Sequence, residues 1–278
     1  MMPNTGPITL VSGAASGIGR HMAIALAGAG HRLMLTDIDS AGLNRLAAEQ
    51  VWQDRSDIML HALDVRSREG WDALMALTLE RFGGLDLMLN VAGYLRSGYI
   101  AELEVDAIDR QIDINVKGVM YATRVGARQM VKQGHGHILN VASIAAISHV
   151  PGLSIYCASK HAVRGFTLSI AHELNKHGVQ VTVFCPDAVE TPMLVEQEAH
   201  PEAAMTFGAG RALTLQEVER ALLHAIKTQP LELLLDVPLS GRAIGAKLAN
   251  MFPRLTALAV NHILRQGKRV QALRSKTP

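Results

Sequence analysis

Only two cysteines, Cys157 and Cys185, occur in 278 residues, so no disulfide framework supports this chain. That scarcity fits a reducing compartment. Aromatic residues make up 4% of the sequence while 49% is hydrophobic, which points to an aliphatic core rather than to disorder. No apolar run reaches the roughly 18 residues that suggest a membrane-spanning helix. The first seven residues lack a basic stretch followed by an apolar one, so no signal peptide is expected and the protein is assigned to the cytoplasm. Acidic residues are missing from one region. Residues 238–278 hold eight Lys/Arg and no Asp/Glu, against 19 basic and 25 acidic side chains in the rest of the chain. This tail is a separate electrostatic object. Phe252 is its one aromatic residue, so it lacks the interleaved aromatics that would favour nucleic-acid binding. The 12 histidines form no metal pattern: His135 and His137 are two apart, and His172 and His177 are one residue too far apart for His-Glu-x-x-His. No metal is expected.

Apolar segments alternate with helical patterns. Strands are predicted over Ile8–Val11, Arg32–Asp37, Ile58–Leu63, Leu85–Asn90, His137–Val141, Val179–Phe184 and Leu231–Val237. Helices are predicted after the first turn, over Ala41–Gln53 and over Arg68–Phe82. Strands apolar along most of their length imply a parallel sheet covered on both faces, a Rossmann-like doubly wound α/β fold of about seven strands. No repeat or linker splits it. We expect one domain over residues 1–237 and a basic helical extension over 238–278.

The first turn reads Ser12-Gly13-Ala14-Ala15-Ser16-Gly17-Ile18-Gly19. Glycines in a strand-to-helix turn admit a pyrophosphate close to the backbone and aim helix N-terminal N–H groups at it. Asp37 ends the second strand, 18 residues after Gly19. A carboxylate there accepts hydrogen bonds from both ribose hydroxyls and repels a 2′-phosphate, which favours NAD over NADP. The plainer reading is that Asp37 caps the following loop.

Further along, Asp64-Val65, Asn90-Val91-Ala92-Gly93, Ile114-Asn115-Val116, Ser143 and Tyr156-Cys157-Ala158-Ser159-Lys160 follow in order. With the glycine turn, this set resembles the short-chain dehydrogenases/reductases from Ile8 to Val237. Ser12 replaces the family's Thr, and Val91 its second Asn. The resemblance implies that Asp64 and Val65 meet adenine, that Asn90, Ala92 and Gly93 border the cofactor, and that Asn115, Ser143, Tyr156 and Lys160 form the catalytic set. After the sixth strand, Pro186, Val189 and Thr191 match cofactor contacts. Asp187 stands where the family has Gly. We expect its side chain in solvent; the alternative is a carboxylate beside the substrate.

The chemistry of Tyr and Lys four apart is direct, because i and i+4 share a helix face. A free phenol, with a pKa of about 10, is a poor base at neutral pH. A neighbouring ammonium stabilises the phenolate. Tyr156 then takes or gives the proton of an alcohol while hydride moves to or from nicotinamide. By the resemblance, Ser143 holds the substrate oxygen, Lys160 also binds nicotinamide ribose, and Asn115 anchors a water leading to Lys160. The rival reading is a non-catalytic NAD(H)-binding sensor or scaffold of the same fold, which predicts an eroded catalytic set.

Residues 194–213 suggest a substrate lid, whose apolar Leu194, Met205 and Phe207, with the neighbouring Met193, favour an apolar or mixed alcohol or ketone. Thr214 and Glu217 have the spacing of a capping box. In the tail, Leu248, Phe252, Leu255, Leu258, Ala259 and Ile263 recur at helical spacing, with Pro253 starting a second helix. Arg254, Arg265, Lys268, Arg269, Arg274 and Lys276 accompany them. Two readings stand, with packing favoured: the helix packs on a neighbouring subunit or on its own substrate cleft, or it lies on an anionic membrane surface and implies a lipophilic substrate. Family members form dimers or tetramers, and a homo-oligomer through helices near Glu104–Lys132 and Ser154–Lys176 is expected.

Overall fold

The computed structural model describes residues 5–238, 241, 245, 247 and 253–274, with side chains in the last stretch from Ile263 onward. Seven strands form one parallel sheet: β1 (Ile8–Ser12), β2 (Arg32–Asp37), β3 (Ile58–Ala62), β4 (Leu87–Asn90), β5 (Gly136–Val141), β6 (Val179–Pro186) and β7 (Glu232–Leu235). Their spatial order is β3-β2-β1-β4-β5-β6-β7. Successive side chains point to opposite faces, and the core divides accordingly. Val11, Leu33, Leu35, Leu89 and Leu139 pack on one face against α1 (Gly17–Gly28) and α2 (Ser40–Glu49). Leu10, Met34, Met88 and Ile138 pack on the other against α3 (Arg68–Phe82), through Trp71 and Leu74. Both faces are covered, which is why these strands carry no polar alternation.

Strand order reverses between β1 and β4, the point where a doubly wound sheet opens a crevice at its carboxyl edge. Ser12 pairs in register with Asn90, so the turns leaving both strands meet there. α4 (Val105–Ile112) runs through a π-helical turn at Asp113–Gly118 into α5 (Val119–Gln133). α6 (Ser154–Asn175) follows a short 3-10 turn at Ile144–Ala146. After β6 come α7 (Pro192–Glu198), a 3-10 segment at Pro201–Ala209 and α8 (Leu215–Thr228), which begins with the Thr214–Glu217 capping box. The tail helix, α9, spans Pro253–Arg274 and does start at the proline.

The predicted second helix is too long. Val51 takes a left-handed φ of 55°, and the Trp52 N–H closes back on the Ala47 carbonyl, so the helix stops before the predicted Gln53. Of the tail positions, Leu248, Phe252 and Lys276 lie outside the described residues, as do the side chains of Arg254, Leu255, Leu258 and Ala259.

Candidate active site

A cleft of about 360 Å³ opens at the β1/β4 reversal. At one end lies the glycine turn, with Gly13, Ser16, Gly17 and Ile18 on its wall. Gly13 has a φ of 71°, and a Cβ there would sit 2.8 Å from the Ala92 nitrogen. Only glycine lets the two turns touch. The Ser12 hydroxyl accepts from the Val91 and Ala92 N–H groups at 3.2 and 3.3 Å, so the serine that replaces the family's threonine still ties β1 to β4. Gly19 works differently: it does not line the cleft, and a Cβ on it would collide with the Gly13 carbonyl. It seats α1 beneath the turn.

Asp37 lies on the cleft wall. One carboxylate oxygen accepts from the Ala15 N–H at 3.0 Å and the other from the Asp39 N–H at 3.0 Å. The loop-capping role is therefore real, and it also braces the glycine turn. Each oxygen keeps accepting capacity for a ribose hydroxyl. Asp64 and Val65 border the same end. Arg66, which pattern reasoning did not single out, lies beside them and forks onto Asp64 at 3.0, 2.9 and 2.5 Å. The Arg66 guanidinium holds the Asp64 carboxyl below its usual range, and the cation is thereby already matched.

The middle of the cleft is lined by Ala92, Gly93, Ser143, Tyr156 and Lys160. Lys160 is 3% exposed; its Nζ donates to the Val141 carbonyl at 3.0 Å and lies 5.6 Å from the centre of the Tyr156 ring. Burial pushes the Lys160 ammonium down to about 8. Burial pushes the Tyr156 phenol above its ordinary range, opposed by the Ser143 hydroxyl beside it. Ser143 caps the 3-10 turn after β5, accepting from the Ala145 N–H at 3.1 Å. Asn115 sits in the π-helical turn, fully buried. Its amide grips the Tyr94 backbone at 2.7 and 2.8 Å and the Ser159 hydroxyl at 3.1 Å, so its side chain first of all braces the loop after β4. Gly93 separates it from the lysine: a Cβ there would lie 3.6 Å from Asn115 Oδ1 and 3.7 Å from Lys160 Nζ. Cys157 and Cys185 are buried, and burial pushes both thiols up, Cys185 to about 12, which leaves neither a thiolate nucleophile near neutral pH.

Pro186, Val189 and Thr191 border the cleft as the motif match implies, while Asn90 does not. The Asn90 side chain turns into the sheet, donating to Asn140 at 2.8 Å. Asp187 is the main correction. Its side chain is not in solvent: the residue is 5% exposed, lines the cleft, and accepts from the Ala188 N–H at 2.8 Å. Its own N–H pairs with the Leu235 carbonyl, so the β6–β7 ladder runs on to this residue. The lid also differs in part. Met193 and Leu194 face the cleft, but Met205 and Phe207 are buried away from it, and Gln197 and Thr206 take the wall positions. A 3-10 segment turns about 120° per residue, so the polar Thr206 faces in while its apolar neighbours pack. Tyr94 and Arg110, with the guanidinium 4.4 Å above the ring, also border the cleft; no sequence motif marks them.

The tail helix packs within the chain: α9 lies on α7 and the 3-10 segment at Pro201–Ala209, with Gly267 and Gln271 buried, and Arg265, Lys268 and Arg269 exposed. Among the described residues, no helix is long and apolar enough to cross a membrane, and no cluster of three metal-ligating side chains is found.

Residues 7–202 match the family model for short chain dehydrogenases. An uncharacterized oxidoreductase of Staphylococcus aureus (strain N315) is 34% identical over 226 residues, 81% of this chain and 93% of the relative. One from Staphylococcus saprophyticus is 32% identical over 220 residues, 79% and 91% of the two chains. Among solved structures, a short-chain dehydrogenase/reductase from Burkholderia phymatum in complex with NAD is 28% identical, with a TM-score of 0.79 over 92% of this chain and 97% of that one. An actinorhodin polyketide ketoreductase variant with NADPH is 29% identical, with a TM-score of 0.78 over 87% and 99%. With this sheet, this glycine turn and these relatives, the chain belongs to the short-chain dehydrogenases/reductases, as an oxidoreductase with a nucleotide-binding Rossmann fold.

Proposed function

We propose that the protein interconverts a secondary alcohol and a ketone with NAD(H), using Tyr156 as acid and base. The observation that carries this is the buried Lys160 ammonium, 5.6 Å from the Tyr156 ring centre, in a cleft that the glycine turn also lines.

A nicotinamide dinucleotide fits the residues present. The cradle formed by Gly13 and Ala92 leaves no room for a Cβ, and the N-terminus of α1 faces the cleft at Ser16 to Ile18. Pyrophosphate would be held by that turn and by Thr191 beside Gly17, adenine by Asp64 and Val65, and the nicotinamide carboxamide by Val189. When bound, the nicotinamide supplies the hydride acceptor or donor. Asp37 favours NAD, since a 2′-phosphate would meet its carboxylate and Arg66 is already paired with Asp64.

Ser143 hydrogen-bonds the substrate oxygen and holds it against Tyr156. In oxidation the phenolate accepts the hydroxyl proton; in reduction the phenol donates it to the new alkoxide. Lys160 lowers the cost of the phenolate. Through the space beside Gly93, a water held at Asn115 would carry the exchanged proton between Lys160 and solvent. The substrate wall is formed by Leu95, Ile144, Val150, Leu153, Met193 and Leu194, with Asp187, Gln197 and Thr206 as polar points. That mixture favours an apolar or mixed substrate. In this reading residues 1–237 carry the chemistry in the cytoplasm, residues 238–278 are an extension, and the chain forms a homodimer or homotetramer.

The test is an NAD-reduction screen over diverse alcohols, run beside Tyr156→Phe. Turnover falls at least about 100-fold in the variant, the size of a general acid–base contribution, while NADH still binds. Activity that survives the loss of the hydroxyl would remove Tyr156 from the mechanism.

A further inference from the structure

The segment that closes the cleft starts directly after Thr191 and consists of a seven-residue helix and a 3-10 run. Neither is long enough to hold itself in place. Within it, Thr206 Oγ1 donates to Gln197 Oε1 at 2.9 Å, and Gln197 Nε2 donates to the Met193 carbonyl at 3.1 Å. These bonds join the two halves of the lid but attach neither to the rest of the fold.

One attachment is apolar, where Ala203 packs against Ala145, Leu153 and Cys157; the polar one comes from the last turns of α9. The Gln271 side-chain amide, in a residue only 7% exposed, donates to the Gln197, Glu198 and His200 carbonyls at 3.0, 3.3 and 2.8 Å. The Gln197 and His200 carbonyls already accept from the His200 and Ala203 N–H groups, so the amide adds a second donor at the junction between α7 and the 3-10 run. One turn on, Arg274 Nε donates to Glu198 at 2.6 Å. Its two terminal nitrogens fork onto Glu190 at 2.9 and 2.7 Å. Glu190 lies between Val189 and Thr191, the two residues matched to the cofactor. Its carboxyl is held below the usual range by the Arg274 guanidinium, which also lies 5.8 Å from the centre of the Phe207 ring. The contact is close along its length. A Cβ on Gly267 would collide with the Ala204 carbonyl, and one on Gly208 would lie 2.6 Å from Ile263. Val270 packs on the cluster of Leu194, Phe207 and Ala212, and Leu194 faces the cleft.

We propose that Gln271 and Arg274 are positioning residues that latch the substrate lid to the cofactor loop, so that the C-terminal helix governs how tightly the cleft holds its ligands. The latch joins the far end of α7 to the Glu190 side of Thr191 through one guanidinium. A lid ordered before binding spares the ligand the entropy of ordering it. This rests on the oxidoreductase reading for the identity of the ligands, but not for the latch itself.

The experiment uses the full chain and the variants Gln271→Met, Arg274→Gln, Arg274→Lys and Arg269→Gln. The last sits on the exposed face of the same helix and serves as control. Limited proteolysis with a glutamate-specific protease, read by mass spectrometry, follows cleavage at Glu196, Glu198 and Glu202. NADH fluorescence titration follows binding, and steady-state rates give KM and kcat separately. In Arg274→Gln, lid cleavage rises about five- to tenfold, as expected for losing charge-assisted hydrogen bonds that are partly solvent-screened. KM and the NADH Kd rise with it, while cleavage outside the lid and the thermal midpoint stay near the native values. Arg274→Lys recovers part of the protection, because an ammonium can pair with one carboxylate but cannot fork. Arg269→Gln behaves as the native chain. Native-like lid cleavage and NADH Kd in Arg274→Gln and Gln271→Met would overturn the latch, and so would an increase in cleavage spread over the whole chain. Proteolysis needs no turnover, so a failed alcohol screen would refute the proposed chemistry without touching this result.

Discussion

Replacing Lys160 by Met removes a charge from the interior while keeping most of the side-chain volume. In the native protein that charge lies 5.6 Å from the centre of the Tyr156 ring, and at an effective dielectric of about 20 it contributes about 3 kcal/mol to a phenolate, or about 2 pKa units. Burial alone pushes the phenol upward, so the variant is left with the unfavourable effect unopposed except by Ser143. The assay is the pH dependence of kcat/KM for alcohol oxidation between pH 6 and 11. The rising limb should move up by about 2 pH units, and at fixed neutral pH the rate should fall about 100-fold. Because burial pushes the Lys160 ammonium down to about 8, the native limb belongs to the coupled pair rather than to the tyrosine alone. Lys160→Arg keeps a cation and should hold the limb near its native position. Folding is checked separately, since the variant strands the Val141 carbonyl that Lys160 now satisfies. That loss costs about 1–3 kcal/mol and is offset by relieving the buried ammonium. A folded Lys160→Met enzyme with the native pH limb would refute the electrostatic argument.

Two further outcomes follow from the same structure. Asp37→Asn keeps an acceptor for the Ala15 N–H but loses the charge, so the preference for NAD over NADP should narrow by about tenfold, equivalent to about 1.4 kcal/mol; competing-cofactor kinetics measure it, and an unchanged ratio would count against Asp37 as the selector. His137 is 3% exposed, donates from Nε2 to Thr182 at 2.8 Å, and has an Nδ1 without a partner among the described residues. Burial pushes it down to about 4 from an ordinary 6.5. The unfolded chain takes up a proton there at a pH where the folded protein does not, so stability is present above pH 6.5 and lost as pH falls toward about 4. Urea unfolding across that window should show up to about 3 kcal/mol of loss attributable to this ring, and His137→Gln should flatten the slope; an unflattened slope would place the acid sensitivity elsewhere.

Much of the fold and site is written locally. Strands such as Leu33-Met34-Leu35 are apolar on both faces, and only a parallel sheet between helix layers buries both. The glycine turn, Asp37, and Tyr156 with Lys160 are legible because each role depends on neighbours within a few residues or on a helix face. Where local pattern misled, a distant contact decided. Gly19 faces Gly13 rather than the cleft, and Asn90 turns toward Asn140, 50 positions away. The Asp187 backbone pairs with Leu235, 48 positions away, and its side chain lines the cleft; Thr206 displaces Phe207 from the cleft wall by the geometry of a 3-10 turn.

The basic tail marks the boundary most clearly. Its sequence by itself determined that residues after Pro253 form a helix rich in positive charge, because period and charge are properties of the segment. Which surface that helix would cover was decided only by the tertiary structure. The groups it meets (the Gln197 and His200 carbonyls, the Glu190 and Glu198 carboxylates) lie about 70 to 85 positions away in the chain. An amphipathic pattern specifies that a face must be buried, and contacts across that separation specify against what.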